Sequence, residues 1–171
     1  MATEPAAIPN VDIGALFDGT ASAVASTAQA LGSAARANGF LYVTGHRRPP
    51  ALFDDLLAAA RGFFAQPLAE KMRVYIGNSR NHRGYVPEGE EVFAQGTKDA
   101  KEAYDCSRDL PPDDPDYLAG NPLLGPNQWP ELPGFKHAVS AYYNATFELG
   151  RVLLRGFALA LGQPADRFDP L

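Results

Sequence analysis

A chain of 171 residues, 46% apolar and 20% charged, has the length of one ordinary domain and enough apolar side chain to build a core, which excludes disorder throughout. It holds 8 valines and 3 isoleucines against 28 alanines and 18 leucines, so a mainly β architecture is excluded as well. The net charge is −5 and no basic cluster is denser than Arg47 with Arg48, so there is no footprint for nucleic acid or anionic lipid and small molecules or proteins are the expected partners. Cys106 is the single cysteine, which rules out an intrachain disulfide framework and fits a reducing, cytoplasmic setting. The N-terminal residues lack the basic and apolar regions of a signal peptide, and no apolar run is long enough to span a bilayer. Neither export nor a membrane span is expected.

In chain order, Ile8 to Ile13 reads as a short strand, and Thr20 or Ser22 caps a helix running through Val24, Ala28, Leu31 and Ala35. Gly39 stops that helix, and Phe40 to Thr44, apolar and partly β-branched, reads as a buried strand. Pro49 and Pro50 open a second helix whose Leu52, Leu56, Ala59 and Phe63 stripe adjoins one of Phe53, Leu57, Ala60 and Phe64, giving one broad apolar face. Pro67 breaks it and starts a turn or two through Leu68 and Met72. Residues 76–99 are Gly-rich and polar and read as loop with short strands. Lys101 to Leu110 alternates, with Glu102, Tyr104, Cys106 and Arg108 on one face and Lys101, Ala103, Asp105, Ser107 and Asp109 on the other, and reads as a half-buried strand. Residues 111–133 form a proline-rich loop. The 134–161 stretch, with Phe135, Val139, Tyr142, Phe147, Leu153 and Phe157 at helical spacing, is a long helix ended by Gly162 and Pro164.

Motifs for chemistry are sparse. His46, His82 and His137 are widely spaced, with no Glu-x-x-His, His-x-Asp or Cys-x-x-Cys pattern, so no metal site and no catalytic residue is assigned. Gly-rich phosphate loops and the Gly-x-Ser-x-Gly elbow are absent. Cys106 reads as a small buried strand residue. Glu90 and Glu91 are adjacent, so on extended chain they point to opposite sides and cannot act as a pair on one substrate. Arg83 stands between a solvated loop arginine and a ligand group, and Trp129 reads as an apolar anchor for the proline-rich loop.

Six blocks in register carry more weight than any of them alone: Ile8-Pro-Asn-Val-Asp-Ile, Gly39-Phe-Leu-Tyr-Val-Thr-Gly-His, Arg61-Gly-Phe-Phe-Ala-Gln-Pro-Leu-Ala-Glu-Lys, Arg83-Gly-Tyr-Val-Pro-Glu-Gly-Glu-Glu, Lys101-Glu-Ala-Tyr-Asp, and Gly125-Pro-Asn-Gln-Trp-Pro-Glu followed by Leu132-Pro-Gly-Phe. In this order they resemble the N-terminal half of the isopenicillin N synthase-like family of non-haem Fe(II) oxygenases, most of which use 2-oxoglutarate. Gly45, where many members carry a residue such as Asn, and Tyr104, in place of a common Phe, are the departures.

The resemblance implies an α+β N-terminal portion, residues 1–171, that packs on a double-stranded β-helix, or jelly roll, whose remaining strands and catalytic core follow residue 171. It further implies that the iron ligands, a His-x-Asp and a distant His, and the Arg and Ser that hold 2-oxoglutarate also lie beyond Leu171. What carries over to this chain is substrate wall. The segment matching Gly89-Glu-Glu-Val approaches the substrate in relatives, which nominates Glu91, Val92 and Phe93; the arginine matching Arg83 binds a substrate carboxylate in some members; Tyr104 and Cys106 line the same cavity. The expectation is therefore the N-terminal part of an Fe(II)- and 2-oxoglutarate-dependent oxygenase that hydroxylates, desaturates or cyclises a small molecule, with substrate and O2 engaged through the barrel. The alternative is a non-catalytic remnant or partner-binding module. Alone, the 171 residues are expected to be inactive and to bind neither cofactor. Anaerobic calorimetry with Fe(II) tests this, because stoichiometric binding at micromolar affinity that is lost on replacing two of the three histidines would place a metal site within the chain.

Overall fold

A computed structural model describes residues 7–92 and 94–170. It divides into two units: one takes the first 49 residues with 144–171, the other takes 50–143. In the first, β1 (Asn10–Asp12) is followed by a single helical turn, α1 (Ala15–Asp18), by α2 (Ala21–Asn38) and by β2 (Tyr42–Thr44). The two strands pair in parallel, Val11 opposite Val43, as a strand–helix–strand crossover allows. Thr20 is the N-cap of α2, its hydroxyl accepting from the Ala23 N–H at 3.4 Å. Gly39 closes the helix at φ 76°, a left-handed conformation that costs a residue without Cβ little. Ile13 and Leu31, both fully buried, centre the core, against which Leu16, Val43, Leu153 and Phe157 pack. At Gly156 a Cβ would stand 2.8 Å from Leu31 Cδ1 and 2.9 Å from Leu16 Cδ1, so glycine there lets α6 (Phe135–Ala160) approach closely.

The second unit holds α3 (Pro50–Phe64), α4 (Leu68–Lys71), two 3-10 turns at Met72–Val74 and Ile76–Asn78, β3 (Gly84–Val86), β4 (Ala103–Asp105), the one-turn α5 (Pro115–Leu118) and the start of α6. Strands β3 and β4 are antiparallel, with Tyr85 opposite Tyr104. Phe63, 0% exposed, sits between the rings of Tyr85, Tyr104 and Phe135 at centroid distances of 6.0, 5.2 and 5.1 Å. Tyr85 and Tyr104 meet it edge-on and Phe135 at a tilt, and such ring pairs add to what burial of an aromatic side chain contributes.

Three expectations are corrected. Residues 40–44 do not form a buried strand: Phe40 is 72% and Tyr42 62% exposed, because among the described residues β2 has only β1 as a hydrogen-bonded neighbour, in a two-stranded sheet, and the Leu41 and Val43 side packs on the core. The strand beginning at Ile8 starts at Asn10. The alternating run from Lys101 to Leu110 is strand only over Ala103–Asp105; beyond it the Asn127 side chain replaces a ladder partner, accepting from Ser107 N–H at 3.0 Å and donating to Ser107 C=O at 2.7 Å. On α3, Phe63 is buried and Leu56, Ala59 and Phe64 are partly covered, while Leu57 stays exposed.

Truncating Phe63 to Ala is expected to lower the stability of the chain in urea unfolding by about 3 to 5 kcal/mol. Changing the exposed Phe40 to Ser is expected to shift it by less than about 0.5 kcal/mol.

Candidate functional site

The residues nominated from sequence lie on β3–β4 and on the turn that leaves β3. Gly84, at φ 120°, is required where it stands: a Cβ would lie 2.2 Å from the Val74 carbonyl oxygen. The Gln128 side chain crosses the same point, its Nε2 donating to the carbonyls of Tyr75 at 2.9 Å and Arg83 at 2.5 Å. Past β3 the chain turns back on itself, with Gly89 N–H donating to Asp99 C=O and Asp99 N–H to Glu91 C=O, each at 2.9 Å, and an antiparallel bridge between Val92 and Lys98. This is a distorted hairpin in which adjacent carboxylates take different partners. Glu91 pairs with the Lys101 ammonium at 2.7 Å, which Asp99 also approaches at 3.1 Å. Glu90 instead accepts the Tyr75 hydroxyl, an anionic partner that raises the Tyr75 pKa. Val92 is exposed on this hairpin. Phe93 lies outside the described residues.

Arg83 is 6% exposed, not a solvated loop residue. Its Nη1 donates to the carbonyls of Asn81 at 2.8 Å and His82 at 2.9 Å, and its Nη2 to that of Leu123 in the proline-rich loop. Its Nε is buried without a partner among the described residues. The guanidinium thus carries its charge among carbonyl dipoles, and of its five N–H groups three are engaged. Tyr104 packs against Phe63, Phe135 and Trp129 and donates its hydroxyl to Gln128 C=O; burial, with lesser contributions from Cys106 and Asp109, holds its phenol well above the ordinary range. Cys106 is half-buried. Burial raises its thiol pKa and the nearby Arg83 charge opposes that only in part, which favours the unreactive thiol over the thiolate.

Sequence reasoning missed a polar cluster at the edge of the aromatic core. Lys71, 7% exposed, donates to Glu102 Oε2 at 2.5 Å and to the Phe64 carbonyl at 3.3 Å, and Tyr85 donates to the same Glu102 oxygen at 2.6 Å. No local signal links positions 71, 85 and 102; a lysine closing an apolar helix stripe and a glutamate inside a strand pattern are the only hints. Asp109 is a second hub, receiving Asn127 N–H at 2.8 Å, Trp129 Nε1–H at 2.9 Å and the Lys136 ammonium at 3.2 Å. Burial pulls its pKa up, but the three donors outweigh it and the carboxyl lies below its ordinary value. Among the described residues no group of three or more His, Cys, Asp or Glu side chains stands where it could hold a metal ion, so these residues do not fit an iron centre. Among the described residues no helix is long and apolar enough to cross a membrane.

Residues 8–132 match the family model described as non-haem dioxygenase in morphine synthesis N-terminal. The chain is 33% identical over 172 aligned residues to the 2-oxoglutarate-Fe(II) type oxidoreductase hxnY of Emericella nidulans, covering 98% of this chain and 49% of that protein. It is 36% identical to Homoarginine-6-hydroxylase 2-ODD-C23.1 of Arabidopsis thaliana, covering 99% and 53% respectively. Among solved structures, it superposes on a crystal structure from Caulobacter crescentus described as a 2OG-Fe(II) oxygenase family protein, with TM-score 0.81, 32% identity, and coverage of 97% of this chain and 52% of the other. It also superposes on a full-length Neurospora crassa protein crystallised in complex with alpha-KG, with TM-score 0.78, 25% identity, and coverage of 95% and 49%. The chain therefore spans about half the length of the relatives it matches.

The Glu102 carboxyl titrates below its ordinary 4.5, chiefly through the Lys71 hydrogen bond and then that of Tyr85, with burial opposing. A depressed folded-state pKa contributes stability that is present above 4.5 and is lost as pH falls through the lower folded value. Wild-type unfolding free energy is accordingly expected to decline below about pH 4.5 more steeply than that of Glu102→Gln, as measured by urea unfolding across that range.

Proposed function

Because the chain belongs to the N-terminal domain family of the non-haem Fe(II) and 2-oxoglutarate oxygenases, we propose that it forms the scaffold and substrate wall of such an enzyme, one that hydroxylates, desaturates or cyclises a small molecule. The single observation that carries this reading is the continuous family match over residues 8–132 together with the coverage of only about half of each relative. In the proposal, residues 1–171 are the N-terminal domain, and a jelly-roll barrel contributed by sequence beyond residue 171 supplies the iron ligands and the 2-oxoglutarate site. The described residues do not fit the metal, so no chemical step is assigned to them. O2 and substrate are engaged through the barrel.

The work of this chain is binding and orientation. Glu91, on the hairpin and already paired with one ammonium group, takes a cationic or N–H-bearing group of the substrate, since a carboxylate accepts charge-assisted bonds of this kind. This agrees with relatives named as homoarginine hydroxylases, homoarginine being a guanidinium compound. Arg83 offers its unengaged N–H groups to a substrate carboxylate, and Val92, Phe93, Tyr104 and Cys106 supply apolar wall that holds the target carbon in place.

The test uses the whole protein in which this chain occurs, loaded with Fe(II), and reads substrate-stimulated consumption of 2-oxoglutarate with cationic amino acids, beginning with homoarginine. Glu91→Gln is expected to lower kcat/KM roughly tenfold to a hundredfold, the equivalent of about 1.5 to 3 kcal/mol, and Glu90→Gln to leave it nearly unchanged. Iron binding is expected to survive both changes. Equal losses, or a larger loss at Glu90, would overturn the role given to Glu91, and absence of any 2-oxoglutarate turnover would favour a non-catalytic module.

A further inference from the structure

Glu91, on which the proposed substrate contact rests, shares its lysine with a second carboxylate. The Lys101 ammonium stands 2.7 Å from Glu91 Oε2 and 3.1 Å from Asp99 Oδ2, so one cation serves two anions. The backbone holds those anions side by side: Asp99 N–H donates to Glu91 C=O and Gly89 N–H to Asp99 C=O, each at 2.9 Å, across the 89–99 hairpin. The lysine is placed from the other direction. Its neighbour Glu102 is tied to the buried Lys71 at 2.5 Å and receives the Tyr85 hydroxyl at 2.6 Å, so the chain entering β4 is anchored inward at residue 102 while residue 101 reaches outward to the hairpin. The two carboxylates differ in access. The Glu91 side chain is 48% exposed and that of Asp99 24%, which makes Glu91 the one a solute can reach and Asp99 the more sheltered partner. Glu91 first and Asp99 second raise the Lys101 pKa above its ordinary value and keep the ammonium charged.

An ion pair between exposed side chains is weak and exchanges readily, so a substrate cation that binds Glu91 does so in competition with Lys101. Donor geometry decides that competition. An ammonium meets a carboxylate as a point charge, whereas a guanidinium presents parallel N–H groups that match both carboxylate oxygens. A substrate ammonium therefore replaces Lys101 like for like, while a guanidinium gains a second bond, and the displaced lysine keeps a counter-charge because Asp99 is already 3.1 Å away. We propose that Lys101 is a specificity-determining residue: a displaceable counter-ion that competes with the substrate for Glu91, moves over to Asp99 when a guanidinium takes its place, and so ranks guanidinium substrates above ammonium ones. The proposal rests on the role given to Glu91 above and adds to it a second station, Asp99, for the lysine.

The test uses the whole protein in which this chain occurs, loaded with Fe(II) and 2-oxoglutarate. It compares homoarginine with lysine, which has the same stem ending in an ammonium, by calorimetric titration without O2 and, for homoarginine, by KM and kcat. Lys101→Met removes the competitor and is expected to tighten homoarginine roughly twofold to fivefold and lysine by more, so that the preference between them narrows; the gain appears in KM rather than in kcat. Lys101→Arg competes with the substrate's own two-pronged geometry and is expected to weaken both ligands by about twofold or more. Asp99→Asn removes the second station and is expected to weaken homoarginine more in the wild-type background than in the Lys101→Met background. A lysine with a merely structural role gives the opposite order, Lys101→Met binding more weakly and Lys101→Arg behaving as wild type. That order overturns the proposal, as does an unchanged ratio of homoarginine to lysine affinity in Lys101→Met. Glu91→Gln separates the two readings: if it weakens homoarginine while neither Lys101 variant changes the affinity, Glu91 keeps its role and the proposal fails. If homoarginine binding is indifferent to Glu91→Gln, or the wild type shows no saturable binding, both fail.

Discussion

Phe63 fills a position against which four separate segments close: the end of α3 that carries it, β3 through Tyr85, β4 through Tyr104 and the start of α6 through Phe135. Strands of three residues each hold too few ladder bonds to fix their own pairing, and an isolated two-stranded hairpin is marginal in water. The rings on either side of Phe63 are the cross-strand pair Tyr85 and Tyr104, so packing on one side chain sets the register of the sheet. Arg83 precedes that pair and Cys106 follows it, and their positions therefore depend on the aromatic cluster before any polar contact is made.

The polar contacts then shape what the rings have placed. A proline-rich segment has few N–H groups and cannot extend a sheet, so its carbonyls and those of its neighbours need side-chain donors. Gln128, Asn127, Asn81 and Arg83 supply them, at Tyr75, Arg83, Ser107, Pro126 and Leu123 among others. Side-chain amides bonded to main chain in this way hold a long irregular loop in one conformation without secondary structure of its own. The buried Lys71, which pairs with Glu102 while Tyr85 donates to the same carboxylate, adds a charged tie from α4 to the strand region, in which the hydrogen bonds outweigh the cost of burial.

What these ties imply for function is a division of labour. Glu91 and Val92 on the hairpin are exposed, and Glu91 is held by a surface charge pair with Lys101, which is cheap to rearrange, whereas the β3–β4 residues are locked by rings and by buried bonds. An adjustable recognition edge on a rigid backing is an arrangement suited to positioning a small molecule for chemistry performed elsewhere.

The sequence alone determined the features that depend on residues within a turn or two of one another. A cap at Thr20 or Ser22, the Gly39 stop, the helix opened by Pro49 and Pro50 and the long helix from Phe135 all follow from side-chain chemistry and periodicity at close spacing, and the six motif blocks in register were sufficient to indicate the family; the structure chose Thr20 as the cap. Tertiary structure decided everything that required distant partners. Whether 101–110 continued as strand depended on Asn127, twenty residues beyond Ser107; whether Phe40 and Tyr42 were covered depended on how many strands flank β2; the Lys71–Glu102 tie joins positions 31 apart, and the Arg83–Leu123 bond joins positions 40 apart. Alternation along a strand tells which side chains share a face, but a carbonyl or a carboxylate carries no mark of the donor that will reach it, and only the packed chain brings the two together.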